Sequence, residues 1–128
     1  MSQTPTTARG TTSLYDRLGR LDGIARITRT LIENHMANPL VSVRYASADM
    51  DRVEQHVVEF FCAGSGGPET YTGKDVLETH RGMNVSEQEF VAVVDDAMKA
   101  LQAHRIDPAT CDEVLGILWS LKGQVVRV

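Results

Sequence analysis

The chain has 128 residues, 42% of them hydrophobic and 23% charged, and a formal net charge of −4. That is the profile of one soluble globular domain with a single modest core, and mild acidity with scattered Lys and Arg argues against nucleic acid as a partner. No apolar run approaches the roughly 18 residues that span a membrane.

No basic-then-apolar leader opens the sequence, and residues 1–12, rich in Thr, Gln, Ser and Gly, read as a flexible tail ahead of a domain over 13–128. Ser13 caps a short helix with Asp16 in its first turn, and Gly19 ends it. Asp22 is expected to cap a longer helix over 23–37, where Ile24, Ile27, Leu31 and His35 recur at helical spacing with Ile32 beside them. Asn38-Pro39 stops it, and Pro39 opens a short helix that reaches Tyr45. After a turn at Ser47-Ala48-Asp49, Asp49 caps a helix over 50–63 with Val53, Val57, Phe60 and Phe61 on its apolar side. Cys62 and Cys111 fall in predicted helices, as small buried hydrophobes of a reducing cytoplasm do, though sequence leaves a disulfide between them open.

A glycine-rich loop follows, Ala63-Gly64-Ser65-Gly66-Gly67-Pro68-Glu69, then Tyr71-Thr72-Gly73. It is not a phosphate-binding loop, because that motif needs glycine at Pro68, Ser or Thr at Asp75, and a preceding strand. Residues 74–81 form about two turns of helix closed by Gly82 in a left-handed cap. Val76, Leu77 and His80 share one face there, so His80 is either a satisfied core residue or a ligand. Ser86 and Glu89 form a capping box for a helix over 87–103 with the stripe Phe90, Val93, Val94, Ala97, Met98 and Leu101. Asp107-Pro108 opens the last helix, with Cys111, Val114, Leu115, Leu118, Leu121, Lys122 and Val125 on its inner face. Nothing alternates with period two between hairpin turns and nothing repeats, so the fold class is all-α.

Five stretches stand in an order and spacing that resembles the truncated haemoglobins of group I over 13–126: Ser13-Leu14-Tyr15-Asp16 with Leu18-Gly19, Val58-Glu59-Phe60-Phe61, Gly66-Gly67-Pro68-Glu69, Tyr71-Thr72-Gly73, and His80 with Gly82. The resemblance implies a two-over-two helical sandwich around haem b, with His80 as the proximal iron ligand. Its second ring nitrogen is expected to donate to a carbonyl one turn back, that of Val76. There is no Cys-x-x-Cys-His, so haem is expected to be held without a covalent bond. Leu77, Met83, Phe90, Val93 and Leu118 match positions that contact the porphyrin in the family; the same stripe also reads as plain core.

The distal side departs from the family. Ile32 stands where most members have a tyrosine that hydrogen-bonds oxygen, and Val53 and Val57 stand where glutamine or another polar residue is common. Tyr45 replaces the phenylalanine that packs flat on haem, and Arg20 replaces the second glycine after the first helix. His56, four residues before Phe60, matches a position where some members carry a sixth iron ligand; the other reading points it toward a propionate. Arg52 and Tyr71 match propionate contacts, with a solvated surface role for Arg52 and a packing role for Tyr71 as their counterparts. His35 and His104 read as surface residues, and no histidine of the last helix is available to bond a haem vinyl group.

The resemblance implies a cytoplasmic haem protein that binds a diatomic gas (O2, CO or NO) reversibly at ferrous iron, with oxidation of NO to nitrate and an unidentified reductase partner within its range. A bis-histidyl redox protein using His56 and His80 is the competing class, and a helical interaction module without haem is a third.

Overall fold

A computed structural model describes residues 12–128; the tail expected over 1–12 lies outside the described residues except for Thr12. Among the described residues seven α-helices follow in order: α1 Leu14–Arg17, α2 Arg20–Ala37, α3 Pro39–Ser42, α4 Met50–Gly64, α5 Val76–His80, α6 Glu87–Ala103 and α7 Pro108–Ser120. Short 3-10 turns at Val43–Tyr45 and Lys122–Gln124 extend α3 and α7. Among the described residues there is no strand, only an isolated bridge between Val85 and Val126.

The helix starts follow from local side-chain chemistry. Ser13, Asn38, Asp49, Asp75, Ser86 and Asp107 each accept a hydrogen bond from a backbone N–H of the turn they precede, satisfying donors that the helix leaves free. Ser86 and Glu89 complete the reciprocal capping box.

Helices α2 and α5 depart most from their expected bounds. Helix α2 begins at Arg20, and Asp22 lies in its first turn instead of capping it. The cause is a backbone corner: Gly19 and Arg20 take φ of 94° and 61°, and the Gly23 N–H returns to the Gly19 carbonyl at 3.0 Å. A Cβ on Gly23 would collide with the Leu18 carbonyl. Arg20 thus adopts the left-handed conformation although it is not glycine, steadied by Asp16 at 3.5 Å and by the Tyr15 ring beneath its guanidinium. Helix α5 is shorter than expected at both ends, because Asp75 caps it and Arg81 already leaves helical geometry. Gly82 has the expected left-handed φ, 85°.

Helix α2 packs on α4 and α6, and α6 on α7, giving the two-over-two sandwich. One core cluster joins α1, α2, α4, α6 and α7 through Leu14, Leu18, Ile24, Ile27, Leu31, Cys62, Ala97, Leu101, Cys111 and Val114. A second, smaller one gathers Val85, Phe90, Val94 and Val125, with Val76, Met83 and Leu118 packed against it. Leu115, expected on the inner face of α7, is instead exposed at 37%. Both cysteines are free and buried, and burial pushes the Cys62 thiol up to about 11, so it is an inert core residue.

The glycine-rich loop is tied to the first helix. The Tyr15 N–H donates to the Ser65 carbonyl at 2.9 Å, and the Tyr15 hydroxyl donates to Glu69 at 2.9 Å. Gly67 lies against the Tyr15 ring so closely that a Cβ would sit 2.5 Å from it. The stretches Ser13-Leu14-Tyr15-Asp16 and Gly66-Gly67-Pro68-Glu69, joined by a Tyr15–Glu69 bond across 54 positions, are therefore one structural unit.

Candidate functional site

His80 ends α5 and is half-buried. Its Nδ1 lies 2.8 Å from the Val76 carbonyl oxygen. A carbonyl can only accept, so Nδ1 carries the proton and Nε2 keeps its lone pair. Nε2 makes no hydrogen bond among the described residues. For a neutral ring this contact fixes the tautomer from main chain one turn back and leaves Nε2 as the nitrogen with an unshared pair.

The apolar residues expected around it divide into two sets. Met83, Phe90 and Leu118 belong to the smaller core cluster or pack on it. Ile32, Val53, Phe60, Leu77 and Val93 belong to neither cluster. Ile32 is buried, and Val53, Phe60, Leu77 and Val93 remain half-buried. Val57, by contrast, packs against the main core. Aliphatic and aromatic side chains from α2, α4, α5 and α6 thus stay apart from both cores. Among the described residues no three His, Cys, Asp or Glu side chains gather to hold an ion. An imidazole nitrogen without a hydrogen-bond partner among the described residues, in a chain that keeps several apolar side chains outside its two cores, fits a metal whose other ligands come with a flat apolar macrocycle.

On α4, Val53, His56, Val57 and Phe60 share a face. His56 is half-buried with its ring edge-on to Tyr71, centroids 6.2 Å apart, and Phe60 meets Tyr71 at 5.7 Å. The structure therefore brings His56, Phe60 and Tyr71 together. Thr72 holds that loop on α4, its N–H and hydroxyl both donating to Glu59 at 2.9 and 2.7 Å. The Tyr71 hydroxyl donates to the Lys74 carbonyl. Arg52 is exposed and has no ion pair among the described residues.

Tyr45 closes the 3-10 turn after α3 and is half-buried; burial raises its phenol pKa. Beside it lies a residue that sequence reading misplaced. His35 is not a surface residue: it is 4% exposed, its Nδ1 is 2.8 Å from Asp96 Oδ2, and its ring stacks on Tyr45 at 6.1 Å. The signal was present, since His35 continues the stripe Ile24, Ile27, Leu31. Its partner is 61 residues further on and could not be paired with it from spacing. His104 is half-buried and contacts the Thr30 hydroxyl at 2.7 Å. Next to Tyr45, Arg44 grips Glu89 through Nε at 2.7 Å and Nη2 at 2.8 Å, and donates to the Met83 carbonyl at 2.9 Å. The bidentate clamp joins the turn carrying Tyr45 to the first turn of α6, and the Met83 bond ties it to the segment just after His80.

The family model described as Bacterial-like globin matches residues 13–127. The chain belongs to the truncated globins of group I. Among its relatives, the group 1 truncated hemoglobin of Mycolicibacterium paratuberculosis is 28% identical over 113 residues, which are 88% of this chain and 83% of that protein. The Tetrahymena pyriformis group 1 truncated hemoglobin is 24% identical over 83% of this chain and 88% of its own length. In its Fe(III) form, the solved truncated hemoglobin of Tetrahymena pyriformis superposes on this globin with a TM-score of 0.88, 21% identity, and coverage of 91% and 100%. A 2/2 hemoglobin of Synechococcus sp. PCC 7002, solved in the cyanomet state with covalently attached heme, gives 0.81, with 21% identity and coverage of 88% and 95%. As a globin the chain is a haem protein with a gaseous diatomic ligand, and no helix among its described residues is long and apolar enough to cross a membrane.

Proposed function

We propose that this globin holds haem b without a covalent bond, through Nε2 of His80, and binds O2, CO or NO reversibly on a distal side walled by Ile32, Val53 and Val57. The observation that carries this reading is the His80 Nδ1 bond to the Val76 carbonyl, which leaves Nε2 as the free donor. Ferrous haem supplies the ligand-binding metal; the chain supplies the axial imidazole and an apolar cradle that limits water. Leu77, Val93 and Phe60 lie outside the packed cores and provide surface for the macrocycle. Arg52 is free to meet a propionate. Non-covalent retention is supported by the absence of Cys-x-x-Cys-His and of any histidine after His104. A cytoplasmic location and a reductase that returns the iron to the ferrous state complete the proposal, with NO oxidation as an activity such a cycle permits.

The test is a haemin titration of the purified chain followed by absorption. Wild type is expected to saturate at one haem per chain with an imidazole-ligated spectrum. His80→Ala should lose that spectrum and bind more weakly, with partial recovery in free imidazole. An unchanged spectrum in His80→Ala would defeat the assignment, and a chain that takes up no haem would favour the interaction-module reading.

A second reading rests on His56, whose ring nitrogens make no hydrogen bond among the described residues and whose helical face also carries Val53 and Phe60. In that reading His56 occupies the sixth iron position until a gas displaces it, which lowers apparent affinity by the open fraction. The ligand-free ferrous protein is then six-coordinate and low-spin, and His56→Leu makes it five-coordinate and high-spin. A five-coordinate wild type rules this reading out, together with the bis-histidyl redox function.

A further inference from the structure

The pair His35–Asp96 is the most deeply buried pairing of ionisable side chains described in this chain, with side chains 5% and 6% exposed. Asp96 as a carboxylate only accepts, so at 2.8 Å the His35 Nδ1 is the donor. The pair is not isolated. Asn38 Nδ2 reaches the same carboxylate oxygen at 3.4 Å, and Asn34 Nδ2 donates to the Asp96 main-chain carbonyl at 3.1 Å. Three residues of the α2 C-terminal end therefore converge on one residue of α6.

Such an arrangement is an expensive way to join two helices, because a well-packed apolar pair does that without desolvating a carboxylate. What it adds is orientation: the hydrogen bond fixes the plane of the imidazole. That plane lies within 12° of the Tyr45 ring stacked against it, with centroids 6.1 Å apart. The Tyr45 hydroxyl makes no hydrogen bond among the described residues, and Tyr45 ends a turn of only three residues, Val43–Tyr45, which fixes little by itself. The aromatic ring that meets Tyr45 is the His35 imidazole.

We propose that His35 and Asp96 are positioning residues that lock the Tyr45 ring in one orientation and so fix one wall of the ligand pocket. The effect on the pocket rests on the haem reading above and on the match of Tyr45 to an aromatic that packs on haem in the resembling family; the locking of Tyr45 rests on neither. Asp96 holds the imidazole, the imidazole holds the phenol ring, and Arg44 anchors the neighbouring backbone to Glu89 and Met83.

The chain has three tyrosines, so 3-fluorotyrosine labelling gives three fluorine resonances, with Tyr45 assigned by its loss in Tyr45→Phe. In the haem-free chain, Asp96→Leu is expected to shift and broaden the Tyr45 resonance while those of Tyr15 and Tyr71 stay in place, and Asp96→Asn, which keeps an acceptor, is expected to restore it. A Tyr45 resonance unmoved in Asp96→Leu, at a temperature where circular dichroism shows the variant folded, would overturn the proposal and leave the pair a strut between α2 and α6. In the haem-loaded protein, the C–O stretch of the CO adduct is expected to broaden in Asp96→Leu, recover in Asp96→Asn, and not respond to Asp96 in a Tyr45→Ala background. A response to Asp96 of equal size without Tyr45 would overturn the link to the pocket. Failure of wild type to take up haem would instead overturn the haem reading, and the fluorine result would still decide the locking.

Discussion

Ile32 is buried on α2, and Val53 and Val57 lie half-buried on the face of α4 that also carries His56. None of the three side chains has a hydrogen-bond donor. A donor to a partly charged ligand oxygen contributes roughly 1.5–3 kcal/mol, or about one to two decades in dissociation rate. Oxygen is therefore expected to leave this globin quickly, and Ile32→Tyr to slow O2 release about tenfold or more while CO release stays nearly unchanged. Stopped-flow displacement measures both. A slow wild-type O2 rate would mean that His56 or Tyr45 already supplies the donor. Legibility at this scale depended on where a residue's partner lies. The Val76 carbonyl four positions before His80 could be named in advance, because helix geometry brings it there. Asp96 could not be named for His35, because tertiary packing alone joins them.

Helix α6 ends in a left-handed turn at Arg105, φ 60°, where the Ile106 N–H returns to the Leu101 carbonyl at 3.1 Å and Ile106 packs on the main core. A non-glycine residue pays about 1 kcal/mol or more for that conformation. Arg105 is exposed and makes no ion pair among the described residues, so Arg105→Gly is expected to stabilise the protein by roughly 0.5–1 kcal/mol and raise the melting midpoint by a few degrees. A lower midpoint would show that the loss of chain stiffness outweighs the strain. Helix starts were legible where a capping side chain announces them, as at Ser13, Asp49, Ser86 and Asp107. The start of α2 was not, because a corner of two positive-φ residues sets it and Asp22 looks like a better cap than it is. Leu115 was misassigned for a related reason: α7 is apolar on several sides, and periodicity alone does not say which side faces the core.

At the scale of the whole molecule, two of the ties between separate segments, Arg44 to Glu89 and Thr72 to Glu59, rest on carboxylates held in the ionised form. Glu89 is held down to about 2, first by the Arg44 guanidinium and then by the Ser86 N–H. Glu59 is likewise held to about 2 by the Thr72 hydroxyl and then by the Gln55 amide. Both folded values lie below the ordinary 4.5, so the folded state binds fewer protons than the unfolded chain as these groups titrate. Their stabilisation is fully present above about pH 4.5 and is lost as pH falls toward 2. Thermal midpoints should drop through that window, and Glu89→Gln, less stable at neutral pH, should show a shallower drop; equal slopes would contradict the account. The two-over-two arrangement was legible only through the family pattern, since periodicity yields helices and not their packing. The union of Tyr15, Gly67 and Glu69 explains why that pattern carries these residues.

The most direct test is resonance Raman spectroscopy of the ferrous, gas-free protein, reading the iron–histidine stretch. In His56→Leu, where no distal imidazole competes, a single iron–histidine band is expected, absent in the combined His56→Leu, His80→Ala protein and regained when imidazole is added to it. An iron–histidine band that persists in the combined His56→Leu, His80→Ala protein without added imidazole would contradict coordination by His80.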